Sequence, residues 1–228
     1  MTSAIIVAAG KGTRMGPNVD KLFLELKGSP VIVHTWRRFN DLKEIDEIVV
    51  VVREGMQSTF SDLARHSGFK RPFQIVAGGK ERQDSVWNGL AALSPKVEVV
   101  AIQDAARPCT SPELIAATIT AARRMGAAVA AQAVTDTIKE SKDGKLVERT
   151  LDRSRLWAVQ TPQSFRVEVI RRALLEVRRR GLIVTDDTAA CELIGQAVEL
   201  VVSAQPNPKV TRPGDLDYVS LLLGNDPL

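Results

Sequence analysis

Three cationic side chains crowd one glycine loop near the start of the chain. The stretch Ala8-Ala9-Gly10-Lys11-Gly12-Thr13-Arg14-Met15-Gly16 follows a short apolar run, and Lys21 lies just beyond it. Glycines directly after a first strand let backbone N–H groups come close to phosphate oxygens. Arg14 can offer a phosphate a planar fork, and Lys21 a movable point charge. The loop reads as an anion cradle, with a basic surface turn as the competing reading. It is not a dinucleotide fingerprint: G-x-G-x-x-G needs its third glycine where Met15 stands. It is not a Walker A loop, because no Gly-Lys-Ser/Thr closes it.

Further motifs follow in order. They are Gly78-Gly79-Lys80-Glu81-Arg82-Gln83-Asp84-Ser85-Val86, Asp104-Ala105-Ala106-Arg107-Pro108, Asp136-Thr137, Asp152-Arg153, Thr161-Pro162-Gln163, Thr185-Asp186-Asp187 and Lys209-Val210-Thr211-Arg212-Pro213. With the first loop, this ordered set resembles the 2-C-methyl-D-erythritol 4-phosphate cytidylyltransferase family. That family belongs to the nucleotidyltransferases, which join a nucleoside triphosphate to a sugar or polyol phosphate. The resemblance runs from residue 8 to residue 213.

The resemblance implies that CTP and methylerythritol phosphate give the CDP-alcohol and pyrophosphate, within non-mevalonate isoprenoid synthesis. The acceptor phosphate attacks the α-phosphorus in line. Its oxygen is already anionic at neutral pH, so no general base is required, and neither His34 nor His66 lies in a motif. Catalysis then rests on positioning and charge neutralisation. The implied catalytic cations are Arg14, Lys21, Arg153 and Lys209. The implied CTP site comprises Ala8, Ala9, Gly10, Gly12, Arg14, Lys21, Gly79, Lys80, Arg82, Ser85 and Lys209. At Lys80 many members of the family carry an acid, so a backbone contact is the expectation there. The implied polyol-phosphate site comprises Asp104, Arg107, Thr137, Arg153, Thr161, Thr185 and Lys209. Mg²⁺ or another divalent cation is expected mainly on the CTP phosphates, with Asp104 in reach of its water shell and no dedicated protein cage.

Loop, Asp-Ala-Ala-Arg-Pro motif and lysine could equally serve a ribitol 5-phosphate cytidylyltransferase of the same fold. The arm and the Thr185 region favour methylerythritol. A non-catalytic nucleotide-binding protein is the alternative of another class; the presence of both loop cations, Arg14 and Lys21, speaks against it.

These residues need a scaffold that brings them together. Continuous apolar runs at Ala4–Ala9, Glu47–Val52, Gln74–Ala77, Val97–Gln103, Ala127–Ala133 and Ala197–Ser203 read as strands buried on both faces. Helical patterns lie between them. Ser29-Pro30 and Ser111-Pro112 each read as an N-cap followed by proline at the first helical position. Val86, Leu90 and Leu93 line one helix; Val167, Ile170, Leu174 and Val177 line another; a last helix begins near Pro213. Thr185 is a candidate hydroxyl donor or the cap of a helix starting at Asp186-Asp187. The rhythm predicts a single α/β domain over 1–228, with a mostly parallel Rossmann-like sheet flanked by helices. One polar segment, 136–155, breaks it and reads as a hairpin turning at Asp143-Gly144. In the family such an arm reaches across a two-fold dimer, so Thr137 and Arg153 would complete the neighbour's site.

Composition narrows the remaining classes. Of 228 residues, 44% are hydrophobic and 25% charged, which argues against disorder. The net charge of +4 permits an anionic ligand. Aromatics make up only 4%, leaving few platforms for stacked bases. The arginines at 171–172 and 178–180 read as a solvated helix face, and no nucleic-acid partner is expected. Cys109 and Cys191 form no C-x-x-C, and the run after Met1 is too short for a signal peptide or a membrane span. A cytoplasmic enzyme is expected.

Overall fold

A computed structural model describes residues 1–10, 12 and 20–224. In chain order the elements are β1 (Thr2–Ala8), β2 (Glu25–Leu26), β3 (Ser29–Pro30), α1 (Val31–Asn40), β4 (Glu47–Val52), α2 (Gln57–Ser67), β5 (Phe73–Ala77) and α3 (Arg82–Ala91). Then come β6 (Val99–Asp104), α4 (Pro112–Met125), β7 (Ala127–Ala133), β8 (Lys139–Glu140), β9 (Arg149–Thr150), a 3₁₀ turn (Arg153–Arg155), β10 (Trp157–Arg166), α5 (Val167–Arg180), α6 (Asp187–Glu192), β11 (Glu199–Val202) and α7 (Asp215–Leu222).

Seven strands form one sheet in the order β11-β7-β10-β6-β1-β4-β5. All neighbours are parallel except β10, which runs antiparallel to both β6 and β7. The apolar runs divide between two faces with a period of two. Ala4, Ile6, Ile48, Val50 and Val52 pack on one side with Ile32, Trp36, Phe39 and Ile115. Ile5, Val49, Val51, Val100 and Ile102 pack on the other with Val86, Leu90, Phe165 and Ile170. Both faces are covered, which is why these strands read as unbroken apolar runs.

One of the two expected helix caps needs correction. Ser29 is not the N-cap of α1 and Pro30 is not its first helical residue: Pro30 holds the cap position, and no side chain caps the helix. Ser29-Pro30 pairs with Glu25-Leu26 across a turn in which Lys27 and Gly28 both have positive φ, the two-residue geometry that closes a hairpin. The first N–H groups of α1 are met by backbone instead: Val31 donates to the Leu24 carbonyl at 3.0 Å and Ile32 to the Leu22 carbonyl at 3.1 Å. Ser111 behaves as expected, its Oγ accepting from the Leu114 N–H at 3.2 Å with Pro112 at the helix start.

Strand β10 went unread because Pro162 sits in its middle, and a proline argues against a central strand. The ladder makes room for it. Register with β7 shifts between Val159 and Gln163, across the cis Thr161–Pro162 peptide, and pairing resumes at Gln163. The hairpin is present but shorter than expected, with β8 and β9 pairing Lys139 to Thr150 and Glu140 to Arg149.

Candidate active site

The carboxyl ends of β1, β4, β5 and β6 open onto a cleft of about 1070 Å³, the position where open α/β sheets collect ligands. Its walls carry Ala8, Ala9 and Gly10 at the end of β1, Gly79 and Lys80 from the β5–α3 turn, Arg82 and Ser85 from the first turn of α3, and Lys21, Asp104 and Lys209. Lys11 and Arg14 lie outside the described residues. Gly12 is described: it has a φ of +63°, and a Cβ there would meet the Lys21 side chain at 3.4 Å.

The turn after β5 shows why two glycines are needed. A Cβ on Gly78 would stand 2.5 Å from the Cβ of Ala9, and one on Gly79 would stand 2.3 Å from the Cβ of Asp84. The backbone of this turn therefore approaches the first loop more closely than any side chain allows. Ser85 is buried, and its Oγ accepts from the Gly79 N–H at 3.1 Å and donates to the Glu81 carbonyl at 3.2 Å. Glu81 and Asp84 complete a capping box that fixes the start of α3, and with it Arg82.

Lys21 and Lys209 are tied to the same stretch of backbone. The Lys21 ammonium donates to the Val210 carbonyl at 2.8 Å, and the Val210 N–H donates to the Ala106 carbonyl at 2.8 Å. Lys209 donates to Asp104 Oδ2 at 2.6 Å. Asp104 also faces Arg82 Nε at 3.5 Å and Arg107 Nε at 3.9 Å. Burial alone would raise the Asp104 carboxyl, but Arg82, Lys209 and Arg107 hold it down at about 2. Arg82 gives its other face to Asp187 Oδ2 at 2.7 Å.

Other expected site residues face elsewhere within one chain. Arg107 does not line the cleft; its Nη1 donates to the Asn207 carbonyl at 2.5 Å. Thr161 is buried, and its Oγ1 accepts from the Asp104 N–H at 3.1 Å, so it holds the acid's backbone. Thr137 and Arg153 are exposed on the hairpin side, and Arg153 Nη1 donates to the Thr135 carbonyl at 2.5 Å. Thr185 is exposed and does not cap α6; Asp186 does, its Oδ1 accepting from the Ala189 N–H at 2.9 Å. An acid one position later offers the same short acceptor, so the sequence alone did not separate them.

Asn207 was missed. It is buried, and its Nδ2 donates to the Thr161 carbonyl at 2.8 Å while its Oδ1 accepts from Thr110 Oγ1 at 2.9 Å. It thus joins the Lys209 segment to β10 and to the loop after β6. Its position between two prolines was the available signal. On α5, Arg178 lies over the Trp87 ring of α3 at 4.3 Å, and Arg179 and Arg180 pair with Glu176. Among the described residues no three His, Cys, Asp or Glu side chains cluster as metal ligands, and no helix is long and apolar enough to cross a membrane.

A family model described as 2-C-methyl-D-erythritol 4-phosphate cytidylyltransferase matches residues 2–225. A protein of that name from Pelotomaculum thermopropionicum is 41% identical over 222 residues, covering 97% of this chain and 93% of the relative. One from Bacillus licheniformis is 41% identical over 219 residues, covering 96% and 94%. The crystal structure of 4-diphosphocytidyl-2C-methyl-D-erythritol synthase from Anaerococcus prevotii superposes with a TM-score of 0.86 at 32% identity, covering 97% of this chain and 95% of that one.

Proposed function

The chain belongs to the 2-C-methyl-D-erythritol 4-phosphate cytidylyltransferase family, and on that premise we propose that the cleft between the first loop and Asp104 is where its reaction takes place. The reaction joins CTP and 2-C-methyl-D-erythritol 4-phosphate to give 4-diphosphocytidyl-2-C-methyl-D-erythritol and pyrophosphate. The observation that carries the location is the convergence of Lys21 and Lys209 on one backbone stretch, at the strand ends, beside the close-packed Gly78-Gly79 backbone.

In this reading the backbone of Ala8–Gly10 and of Gly79–Lys80 holds the nucleotide. Lys21, Lys209 and Arg14 of the first loop neutralise the triphosphate and the charge that builds up on the α-phosphorus during in-line attack. Asp104 orients Lys209 and receives a polyol hydroxyl. A divalent cation, with Mg²⁺ the expected ion, would enter on the triphosphate and lower its charge. The cleft's chemistry fits such a carried ion better than a protein-held one. Its half-buried acid, Asp104, is already spent on Lys209 and Arg82, which leaves it an outer contact through water.

We assign Arg153 and Thr137 to the neighbouring site of a homodimer in which the 136–155 hairpin of one protomer reaches its partner. Supporting this, the hairpin and the adjoining strand expose Leu146, Val147, Trp157 and Val159. The setting we propose is cytoplasmic.

Pyrophosphate release with CTP and each polyol phosphate tests the reading. Methylerythritol phosphate should be turned over and ribitol 5-phosphate only slowly. Lys209→Ala should abolish most of that turnover. Full activity in Lys209→Ala would place the chemistry elsewhere.

A further inference from the structure

Asp187 lies outside the cleft, on the first turn of α6, and is 1% exposed. Its surroundings fix it tightly. Its N–H donates to Gln163 Oε1 at 3.1 Å, and Gln163 Nε2 donates to Asp186 Oδ2 at 2.9 Å. The cap made by Asp186 holds the same turn from below. Of its two carboxylate oxygens, Oδ1 is buried without a hydrogen-bond partner and Oδ2 accepts from Arg82 Nη1 at 2.7 Å. A buried carboxylate with half its capacity unused is costly unless its one partner matters.

That partner stands between two acids. Arg82 gives Nη1 to Asp187 and leaves Nε 3.5 Å from Asp104 Oδ1, while Lys209 holds Asp104 Oδ2 at 2.6 Å. We propose that Asp187 is a positioning residue: it holds Arg82 back from Asp104, so that Asp104 remains committed to Lys209. With Asp187 neutral, Asp104 is the acid left to the guanidinium, and Arg82 closes on it. Drawn onto Oδ1, the guanidinium then shares the carboxylate's charge with Lys209 on Oδ2 and weakens the contact that sets that lysine's ammonium in the cleft.

The inference rests on the cleft being the site of transfer, and the experiment separates the two. Asp187→Asn keeps the shape and removes the charge. Its kcat should fall at least tenfold. Its KM for CTP should stay within twofold of the wild type or drop, because a negative charge has been removed near an anion-binding cleft. General loosening would instead raise KM and lower Tm together with kcat, and that pattern would overturn the proposal, as would a kcat within twofold of the wild type. Should Asp187→Asn not fold alone, Arg82→Gln and the double variant Arg82→Gln/Asp187→Asn remove the pair together. If Asp187 acts through Arg82, the double variant turns over as fast as Arg82→Gln, within twofold. A further tenfold loss in the double variant sinks the idea. A silent Lys209→Ala in the same assay would instead indict the location of the site.

Discussion

Lys209 and Asp104, 105 residues apart in the chain, form a contact of 2.6 Å at the end of the sixth strand. The pair joins the segment after the last sheet strand to the middle of the sheet. It also makes the acid's protonation a matter of stability. The Asp104 carboxyl is held at about 2, against about 3.9 for an unfolded aspartate. A depressed value stabilises the fold above the unfolded pKa, and that gain is lost as pH falls from about 4 to about 2. Urea unfolding should show this acid loss, on the order of 2 kcal/mol. In Asp104→Asn the stability curve should be flatter over that window; an equally steep curve would mean that other acids carry it.

Lys21→Ala removes both a cation and a tie to the Val210 carbonyl. Turnover should drop by about 10²–10³, the range seen when one charge-stabilising donor is lost. Circular dichroism should stay unchanged. Lys21→Arg should recover only part of the loss, because a planar fork cannot place the compact point charge of an ammonium at the same spot.

Gly79→Ala places a Cβ 2.3 Å from the Cβ of Asp84. Asp84 holds the capping box of the third helix, so the clash loosens the helix start as well as the turn. A loss of about 1–3 kcal/mol in denaturant unfolding is expected, as for overpacking elsewhere. The KM for CTP should rise. Unaltered stability would show that the turn can shift aside.

The hairpin predicts a solution mass of two chains at micromolar concentration. Leu146 is 73% exposed and Val147 62% exposed in the single chain. Leu146→Glu with Val147→Glu should shift light scattering to the mass of one chain. Turnover should fall with it, because Arg153 would no longer reach a neighbour. An active monomer would remove the arm from the mechanism.

Both thiols should resist alkylation at pH 8. Burial pushes Cys109 up to about 11 and Cys191 up to about 12, so little thiolate is present. Reaction with a thiol reagent should appear only as urea unfolds the chain.

Much of this fold is written in periods that a reader can see. The strands at Glu47–Val52 and Ala127–Ala133 are legible because both their faces are buried. Ser111-Pro112 announces its helix because the cap is a side chain next to the helix it serves. What escapes is settled by partners far along the chain. The first helix is capped by the carbonyls of Leu22 and Leu24, which no local motif marks. The strand through Pro162 is hidden because its exception to the ladder depends on the neighbour's register. The same holds for site residues. Lys209 and Asp104 stand in motifs, and the structure brings them together, but Arg107 turns toward Asn207, a carbonyl 100 residues away. Asp187 stands in a motif too, yet its use depends on an arginine from another helix.

The bond from Lys21 to Val210 spans 189 positions of sequence. A ribosome making this chain lays down Lys21 well before the segment at 209–210 that holds it. Four strands of the sheet, β1, β4, β5 and β6, precede residue 105, and the other three are all complete by residue 202. The cleft cannot follow the same schedule. A nascent chain that has not reached residue 209 has Asp104 but lacks both Lys209 and the carbonyl that holds Lys21, so this wall of the cleft closes only after every strand of the sheet has been made.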